Sequence, residues 1–181
     1  KSRNVLNDST IGCMVICDSS EQAKEMFKQF NEIYSNQLKN DSNEEVNSKY
    51  KVKTAALILH DIGSKDERKD WTEKFKSGEI DILFVYNMLQ TGFDAPRLKK
   101  LYLGRVVKKH NLLQSLTRVN RTYGSHRYGY VVDFADITSE FEETNKAYFE
   151  ELQSELGDDF VEYSNLFKKP EEIKKEIGEI K

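Results

Sequence analysis

One short segment presents three polar side chains at helical spacing. In QSLTRVNR, Gln114, Arg118 and Arg121 fall at positions i, i+4 and i+7, so one face of a helix would carry an amide and two guanidinium groups. Two like charges one turn apart repel each other unless an anion lies beside them. Two guanidinium forks pointing the same way suit the charge that develops on a triphosphate during phosphoryl transfer. A solvated helix face with ordinary arginines is the alternative interpretation, and it is the more common one for a lone pair.

A second segment, ILFVYNMLQTGFDAPRL at residues 82–98, runs from an apolar stretch into a glycine and two short polar residues, Thr91 and Asp94. The carboxyl ends of strands are where open α/β sheets bind ligands, so we expect a ligand-binding loop here. Gly92 would let backbone N–H groups approach a phosphate, and the Thr91 hydroxyl is a donor for a nucleotide or a nucleic-acid backbone. Taken by itself, Thr-Gly-Phe-Asp is more often a tight turn, because short glycine turns are common.

Five short apolar runs predict the strands that would position both segments: Ile11–Cys17, Thr54–Leu59, Ile80–Tyr86, Leu101–Leu103 and Tyr128–Phe134. Helical periodicity separates these runs, at Glu21–Leu38, Lys65–Ser77, Asn111–Asn120 and Thr138–Leu156. Strands that alternate with helices predict an α/β domain with a mainly parallel sheet, and the apolar runs predict strands buried on both faces. The polar segment Lys39–Lys53 is expected to be an exposed loop insertion. The charged residues from Gly157 onward are expected to pack on another domain or to be partly ordered.

Composition limits the classes of function. The 181-residue chain is 38% hydrophobic and 33% charged, which is typical of a globular domain with a core. A net charge of −3 argues mildly against a stand-alone nucleic-acid-binding domain, so any basic surface must be local. Cys13 and Cys17 would face one side of a strand and are expected to be buried, reduced thiols. With no signal peptide and no apolar run as long as a membrane span, we expect a cytoplasmic protein without membrane contact.

Several catalytic patterns are absent from the sequence. There is no G-x-x-x-x-G-K-[ST] loop to hold the phosphates of ATP, and no acidic pair placed for magnesium at a strand end before the first helix. His60, His110 and His126 have no spacing that would build a metal site or a catalytic triad. We therefore expect no metal site in this chain and no hydrolytic activity from the chain by itself.

The order of these motifs resembles a known class of motor. A strand, Thr-Gly-Phe-Asp, a strand, Q-x-x-x-R-x-x-R and a strand are similar to motifs V and VI in the second lobe of superfamily 2 helicases, and ICDSSEQAKEMF is similar to their motif IV. MLQTGFDAPRLKKLYLGRVVKKHNLLQSLTRVNRTY followed by GYVVDFADI resembles the R subunit, the motor and nuclease subunit, of type I restriction enzymes over residues 11–155. The resemblance implies a RecA-like three-layer αβα fold. It also implies that residues 1–156 are the second helicase lobe and that residues 157–181 are a helical extension or a linker to the next domain.

The resemblance implies roles for individual residues near ATP. Arg118 and Arg121 match the motif VI arginines and would be the catalytic residues. They would reach the γ-phosphate of ATP, which is bound with Mg²⁺ and held mainly by the first lobe. Gln114, Gly92 and Asp94 match positions close to the nucleotide.

Four further residues are expected to contact nucleic acid. Thr91 matches a position that touches the DNA backbone, and Ser19 and Ser20 would offer hydroxyls and free N–H groups at a helix N-terminus. His60, at a strand end, would line the DNA path, with a structural histidine as the alternative. The sequence departs from the pattern of many superfamily members at Thr117, where they have glycine; a threonine there still permits the helix.

The function implied is that of the second motor lobe of an ATP-dependent double-stranded DNA translocase, part of a type I restriction endonuclease in a bacterial or archaeal cytoplasm. Its partners would be double-stranded DNA, the first RecA-like lobe and nuclease domain of the same subunit, and the modification and specificity subunits. One alternative is the second lobe of another superfamily 2 helicase or remodeller, which the nature of the upstream domain would distinguish. Another is a non-catalytic α/β domain whose arginines bind an acidic or phosphorylated partner, which the negative net charge fits slightly better.

Overall fold

The computed structural model describes Arg3 and residues 7–40, 52–88 and 93–156. Within these residues the elements follow in the order β1 (Gly12–Ile16), α1 (Ser20–Asn40), β2 (Ala55–Ile58), α2 (Lys65–Ser77), β3 (Ile82–Val85), β4 (Leu98–Leu103), α3 (Lys109–Val119), β5 (Tyr130–Asp133) and α4 (Thr138–Leu156). All the predicted strands and helices are present, so the prediction of an α/β domain is confirmed. Thr91, Gly92, most of the predicted loop at 39–53 and the tail from Gly157 lie outside the described residues.

The strands form one sheet in the order β2–β3–β1–β4–β5. Every adjacent pair is parallel, and Val15 of the central strand β1 lies beside Phe84 of β3 and Tyr102 of β4. Parallel neighbours need crossover connections, which are usually helical, and this requirement explains the alternation of strands and helices along the sequence. The prediction of a mainly parallel sheet is therefore confirmed.

Side chains alternate along β1 between two hydrophobic layers. Met14 and Ile16 face the layer that contains residues of α2 and α3, whereas Val15 and Cys17 face the layer that contains residues of α1. Helices thus cover both faces of the central strands, which explains why these strands are continuous apolar runs. Cys13 packs against the α1 layer, and burial raises the pKa of Cys13 to about 12 and that of Cys17 to about 11. Both cysteines are free thiols, as predicted; Cys17 is buried, whereas Cys13 is only partly buried.

Buried charges join the amino-terminal ends of the strands. Arg3 Nη2 lies 2.5 Å from Asp81 Oδ1, and Arg97 Nη2 lies 3.8 Å from the same oxygen. Arg97 also donates hydrogen bonds to the carbonyl oxygens of Phe75 and Ile80, at 2.6 and 2.7 Å. These charged groups are almost inaccessible to water, and their partners offset part of the cost of desolvation. The network therefore connects the end of α2 to the starts of β3 and β4.

The expectation that the strands would be buried on both faces is wrong for β5. Tyr130, Val131 and Asp133 are exposed. Within the described residues β5 pairs with β4 and forms one edge of the sheet, so it has a strand neighbour on one side. The edge position alone does not explain this exposure, because β2 at the other edge is buried at residues 56–58. The residues of β2 belong to the two hydrophobic layers, whereas those of β5 belong to neither.

The chain divides into two compact units, Lys1–Phe141 and Glu142–Lys181. The division falls within α4, and the domain boundary expected after residue 156 stays a prediction. In the described ranges, no helix combines the length and the apolar character that crossing a bilayer requires.

Candidate functional site

The helix that carries the candidate arginines is anchored by its apolar face. Leu112 and Val119 of α3 are almost fully buried, and Leu116 packs against the same hydrophobic layer. Gln114 and Arg118, one helical turn apart, are both partly buried. A packed helix is a rigid support, so the amide and the guanidinium keep a fixed relation to the sheet.

Arg121, two residues beyond the end of α3, contacts Asp94, which precedes β4. Arg121 Nη1 donates a hydrogen bond to Asp94 Oδ1. The side chains are 45% and 61% exposed, and an exposed ion pair adds at most about 1 kcal/mol to stability. The importance of the pair is therefore positional, because it fixes a guanidinium fork beside a carboxylate at the protein surface.

Arg118 lies within electrostatic reach of this pair. Burial lowers the pKa of Arg118, the like charge of Arg121 lowers it further, and Asp94 opposes both effects. A guanidinium that is partly desolvated beside a second guanidinium favours the approach of an anion. Arg118, Arg121 and Asp94 together carry one net positive charge.

Thr117 donates its hydroxyl to the carbonyl oxygen of Gln114 at 3.1 Å, so threonine is accommodated within the helix as expected.

Asp94 lies at a different place from the one that the sequence suggested. We expected it in the loop at the carboxyl end of β3, yet residues 93–97 lie at the amino-terminal end of β4. The Phe93 ring is 5.9 Å from the ring of Phe75, near the end of α2. The chain has thus returned along the sheet before it reaches Asp94. The cluster of Asp94, Arg118 and Arg121 lies near the amino-terminal end of β4, where α3 ends.

Lys99 is a residue that sequence reasoning missed. It is the second residue of β4, it is fully buried, and its Nζ donates hydrogen bonds to the carbonyl oxygens of Val119, at 3.1 Å, and of Arg121. A signal was present in the sequence. In a strand with two-residue alternation, Lys99 shares a face with Leu101 and Leu103, both of which lie in the core.

The residues expected to contact nucleic acid lie at the opposite, carboxyl edge of the sheet. Ser19 precedes α1, and its hydroxyl oxygen accepts a hydrogen bond from the backbone N–H of Gln22 at 3.0 Å, as an N-cap residue does. Ser20 is the first residue of α1 and is partly buried. His60 follows β2 and is exposed, and its carbonyl oxygen accepts a hydrogen bond from Arg68 Nη1 at 3.2 Å.

Two further residues at this edge were not identified from the sequence. Arg105, just beyond β4, donates a hydrogen bond from Nη2 to Asn87 Oδ1 at 2.6 Å, and its guanidinium lies 5.2 Å from the centre of the Tyr86 ring. Asn87 follows β3 and has a positive φ of 51°. Because β1 lies between β3 and β4, the Arg105–Asn87 hydrogen bond crosses the carboxyl end of the central strand. The contact joins loops that are distant in sequence, and nothing in the local pattern predicts it.

The structure therefore separates the candidate residues into two groups. Asp94, Arg118 and Arg121 lie together near the amino-terminal end of β4, whereas Ser19 and His60 lie at the carboxyl edge. Among the residues that the structure describes, no group of three or more His, Cys, Asp or Glu residues could hold a metal ion.

The fold is RecA-like. It is similar to domain 2 of the DEAD-box helicase Mss116p, solved bound to an RNA duplex, with a TM-score of 0.51 over 81% of this chain and 51% of that chain. Sequence identity in that comparison is 19%, and a likeness at this level shows the fold alone. A profile of the family described as type I restriction enzyme subunit R domain 3 matches residues 5–136. The chain belongs to this family.

Curated relatives agree with this assignment. The putative type I restriction enzyme MjaVIIP endonuclease subunit of Methanocaldococcus jannaschii is 39% identical over 106 residues, which is 58% of this chain and 10% of the relative. The type I restriction enzyme HindI endonuclease subunit of Haemophilus influenzae is 33% identical over 92 residues, 48% of this chain and 9% of the relative. The chain therefore spans about a tenth of the length of these relatives.

Proposed function

We propose that this domain is the second motor lobe of an ATP-dependent double-stranded DNA translocase, and that it supplies Arg118 and Arg121 to ATP held on a first lobe. The observation that carries the proposal is the cluster of these arginines with Asp94 at the end of a helix packed on the core. Membership of a restriction enzyme subunit family and a RecA-like helicase fold both support a role in such a motor.

The two arginines would act on the terminal phosphate. ATP with Mg²⁺, when bound, supplies a phosphoryl group that is transferred to water with negative charge spread over its equatorial oxygens. Arg118 and Arg121 would donate N–H hydrogen bonds to those oxygens, and Arg121 would move its fork from the Asp94 carboxylate to the phosphate. Stabilisation of this kind is worth roughly a thousandfold or more in rate.

Asp94 would keep Arg121 in place before the nucleotide arrives. An arginine side chain loses conformational entropy of about 2 kcal/mol when it is fixed. A carboxylate partner that already orders Arg121 in the resting state therefore reduces the conformational entropy that Arg121 loses when the lobes close. Gln114, one turn before Arg118, would contact the nucleotide from the same helix.

The carboxyl edge would hold the DNA backbone. Ser19 and Ser20 lie at the N-terminus of α1, where backbone N–H groups of the first turn suit an anion. His60 follows β2 at the same edge of the sheet. Together with Thr91 these groups would bind phosphates and carry no sequence information, which suits a motor that moves along any sequence. The modification and specificity subunits would then supply recognition of the DNA site.

Movement along duplex DNA is the direct test. A polypeptide that joins this chain to its first lobe would be mixed with ATP and a DNA duplex that carries a triplex-forming third strand downstream. We expect ATP-dependent displacement of the third strand, and no displacement with Arg118→Ala. Separation of an RNA duplex by the parent protein without displacement on DNA would instead favour another superfamily 2 helicase and contradict the proposal.

A further inference from the structure

Lys99 is a charged residue in a buried position, where desolvation of the ammonium group is unfavourable. Its side chain is fully buried among core residues of β4, and burial lowers its pKa. A buried ammonium is retained when hydrogen-bond acceptors offset the loss of water. The acceptors of Lys99 therefore indicate why this position holds a lysine and not the leucine that the alternation would favour.

Those acceptors are carbonyl oxygens at the end of the arginine helix. The last carbonyl groups of a helix have no intrahelical partner and form the negative end of its dipole. Lys99 Nζ donates hydrogen bonds to the carbonyl oxygens of Val119, the last residue of α3, and of Arg121. A cation from β4 thus completes the carboxyl end of α3.

The same short segment of chain holds Arg121 at two points. Asp94 contacts the Arg121 side chain, and Lys99, five residues later, contacts the Arg121 main chain. Arg118 immediately precedes Val119 in the chain, so the hydrogen bond from Lys99 to the Val119 carbonyl oxygen also restrains the backbone that carries Arg118. The positions of both guanidinium groups consequently depend on Lys99.

We propose that Lys99 is a positioning residue for phosphoryl transfer, which acts by fixing the backbone of Arg118 and Arg121; this inference rests on the proposed function. Loss of its hydrogen bonds would let the end of α3 shift. A displacement of about 1 Å in a group that acts on the reacting atoms costs about a hundredfold in rate. Because the first lobe holds most of the nucleotide, the change should fall on kcat and leave the KM for ATP nearly unaltered.

Arg97 provides the matched control. It lies two residues before Lys99, is also buried, and also donates to main-chain carbonyl oxygens, in this case those of Thr10, Phe75 and Ile80. Lys99→Met and Arg97→Met each remove a buried cation, and both should lower the unfolding temperature. Of the two, Lys99→Met removes donors from the arginine segment.

The experiment measures kcat and KM for ATP with saturating DNA, in a polypeptide that joins this chain to its first lobe, at a temperature where each variant is folded by circular dichroism. We expect a 10- to 100-fold fall in kcat for Lys99→Met, partial recovery for Lys99→Arg, and a kcat within about twofold of the parent for Arg97→Met. If Lys99→Met does not fold, Lys99→Gln, which keeps one amide donor, takes its place with a smaller expected fall.

Arg118→Ala is measured in parallel so that two failures can be told apart. If Arg118→Ala abolishes turnover while folded Lys99→Met or Lys99→Gln keeps the parent kcat, the role of Lys99 is overturned and the motor role stands. An equal fall in kcat for Lys99→Met and Arg97→Met would also overturn it, because general destabilisation would then explain both. If Arg118→Ala turns over ATP as the parent does, the proposed function fails, and the inference about Lys99 fails with it.

Discussion

Arg121 and Asp94 are 27 residues apart in the sequence and are joined by a hydrogen bond between guanidinium and carboxylate. One residue follows the helix α3 and the other precedes the strand β4, so the contact links the two segments whose spacing first suggested phosphate chemistry. The pair is exposed and adds little to stability. Breaking the contact therefore costs little free energy, as the proposed movement of the Arg121 guanidinium from Asp94 to a phosphate would require.

The Asp94 carboxylate should matter more for turnover than for folding. We expect Asp94→Asn to lower ATP turnover roughly tenfold, equivalent to about 1.4 kcal/mol of barrier, because Arg121 is then less ordered before catalysis. The midpoint of thermal unfolding of the chain should barely move, since an exposed pair contributes about 1 kcal/mol or less. Steady-state ATP hydrolysis and a thermal melt measure the two effects.

Asp70→Asn is the control for that substitution. Asp70 forms an exposed ion pair with Lys74 at 2.7 Å within α2. It should change stability as little as Asp94→Asn does and leave turnover unaltered. Equal effects of the two substitutions on turnover would show that the Asp94 contact has no special role.

Gly129 should resist substitution because the chain approaches α3 closely there. A Cβ atom at this position would lie 2.2 Å from the carbonyl oxygen of Val119, one of the acceptors of Lys99. We expect Gly129→Ala to destabilise the chain by about 1–3 kcal/mol through overpacking. Equilibrium unfolding in urea measures this change, and Gly124→Ala, with no atom within 4 Å of the added Cβ but a φ of 55°, should cost less. A Gly129→Ala variant as stable as the parent would be inconsistent with this packing.

The cysteines should be unreactive in the folded chain. Burial raises the pKa of Cys13 to about 12 and that of Cys17 to about 11, so at pH 8 the reactive thiolate is scarce in both. We expect a thiol reagent to label neither residue at pH 8 until the chain is unfolded, and labelling to increase as the pH approaches 11. Mass spectrometry after timed quenching follows each site. Labelling of native Cys17 at the rate of a free cysteine would contradict its burial.

The sequence predicted those elements whose signals are local. Helix α2 has the predicted bounds because Ser64 and Glu67 form a capping box at its start and Gly78, with a φ of 96°, ends it. Strand β4 begins three residues before the apolar run Leu101–Leu103 that predicts it, because Lys99 and Lys100 interrupt the run. The burial of Lys99 depends on acceptors that lie 20 and 22 residues further along the chain.

Long-range geometry explains what the sequence did not reveal at the site. The periodicity of α3 predicted that Gln114 and Arg118 would share a helix face. The meeting of Arg121 with Asp94, and of Arg105 with Asn87, depends on the order of strands in the sheet, which no local pattern contains. The exposure of β5 likewise depends on long-range packing, because its residues lie outside both hydrophobic layers.

The proposed role of Arg118 on ATP can be tested by DNA-stimulated ATP hydrolysis. The parent and Arg118→Ala are compared in a polypeptide that joins this chain to its first lobe, with Arg127→Ala as an exposed-arginine control. We predict a fall of roughly a thousandfold or more for folded Arg118→Ala at unchanged ATP binding, and parent-like turnover for Arg127→Ala. Equal hydrolysis by the parent and Arg118→Ala would contradict the assignment and would favour a domain whose arginines bind an acidic or phosphorylated partner.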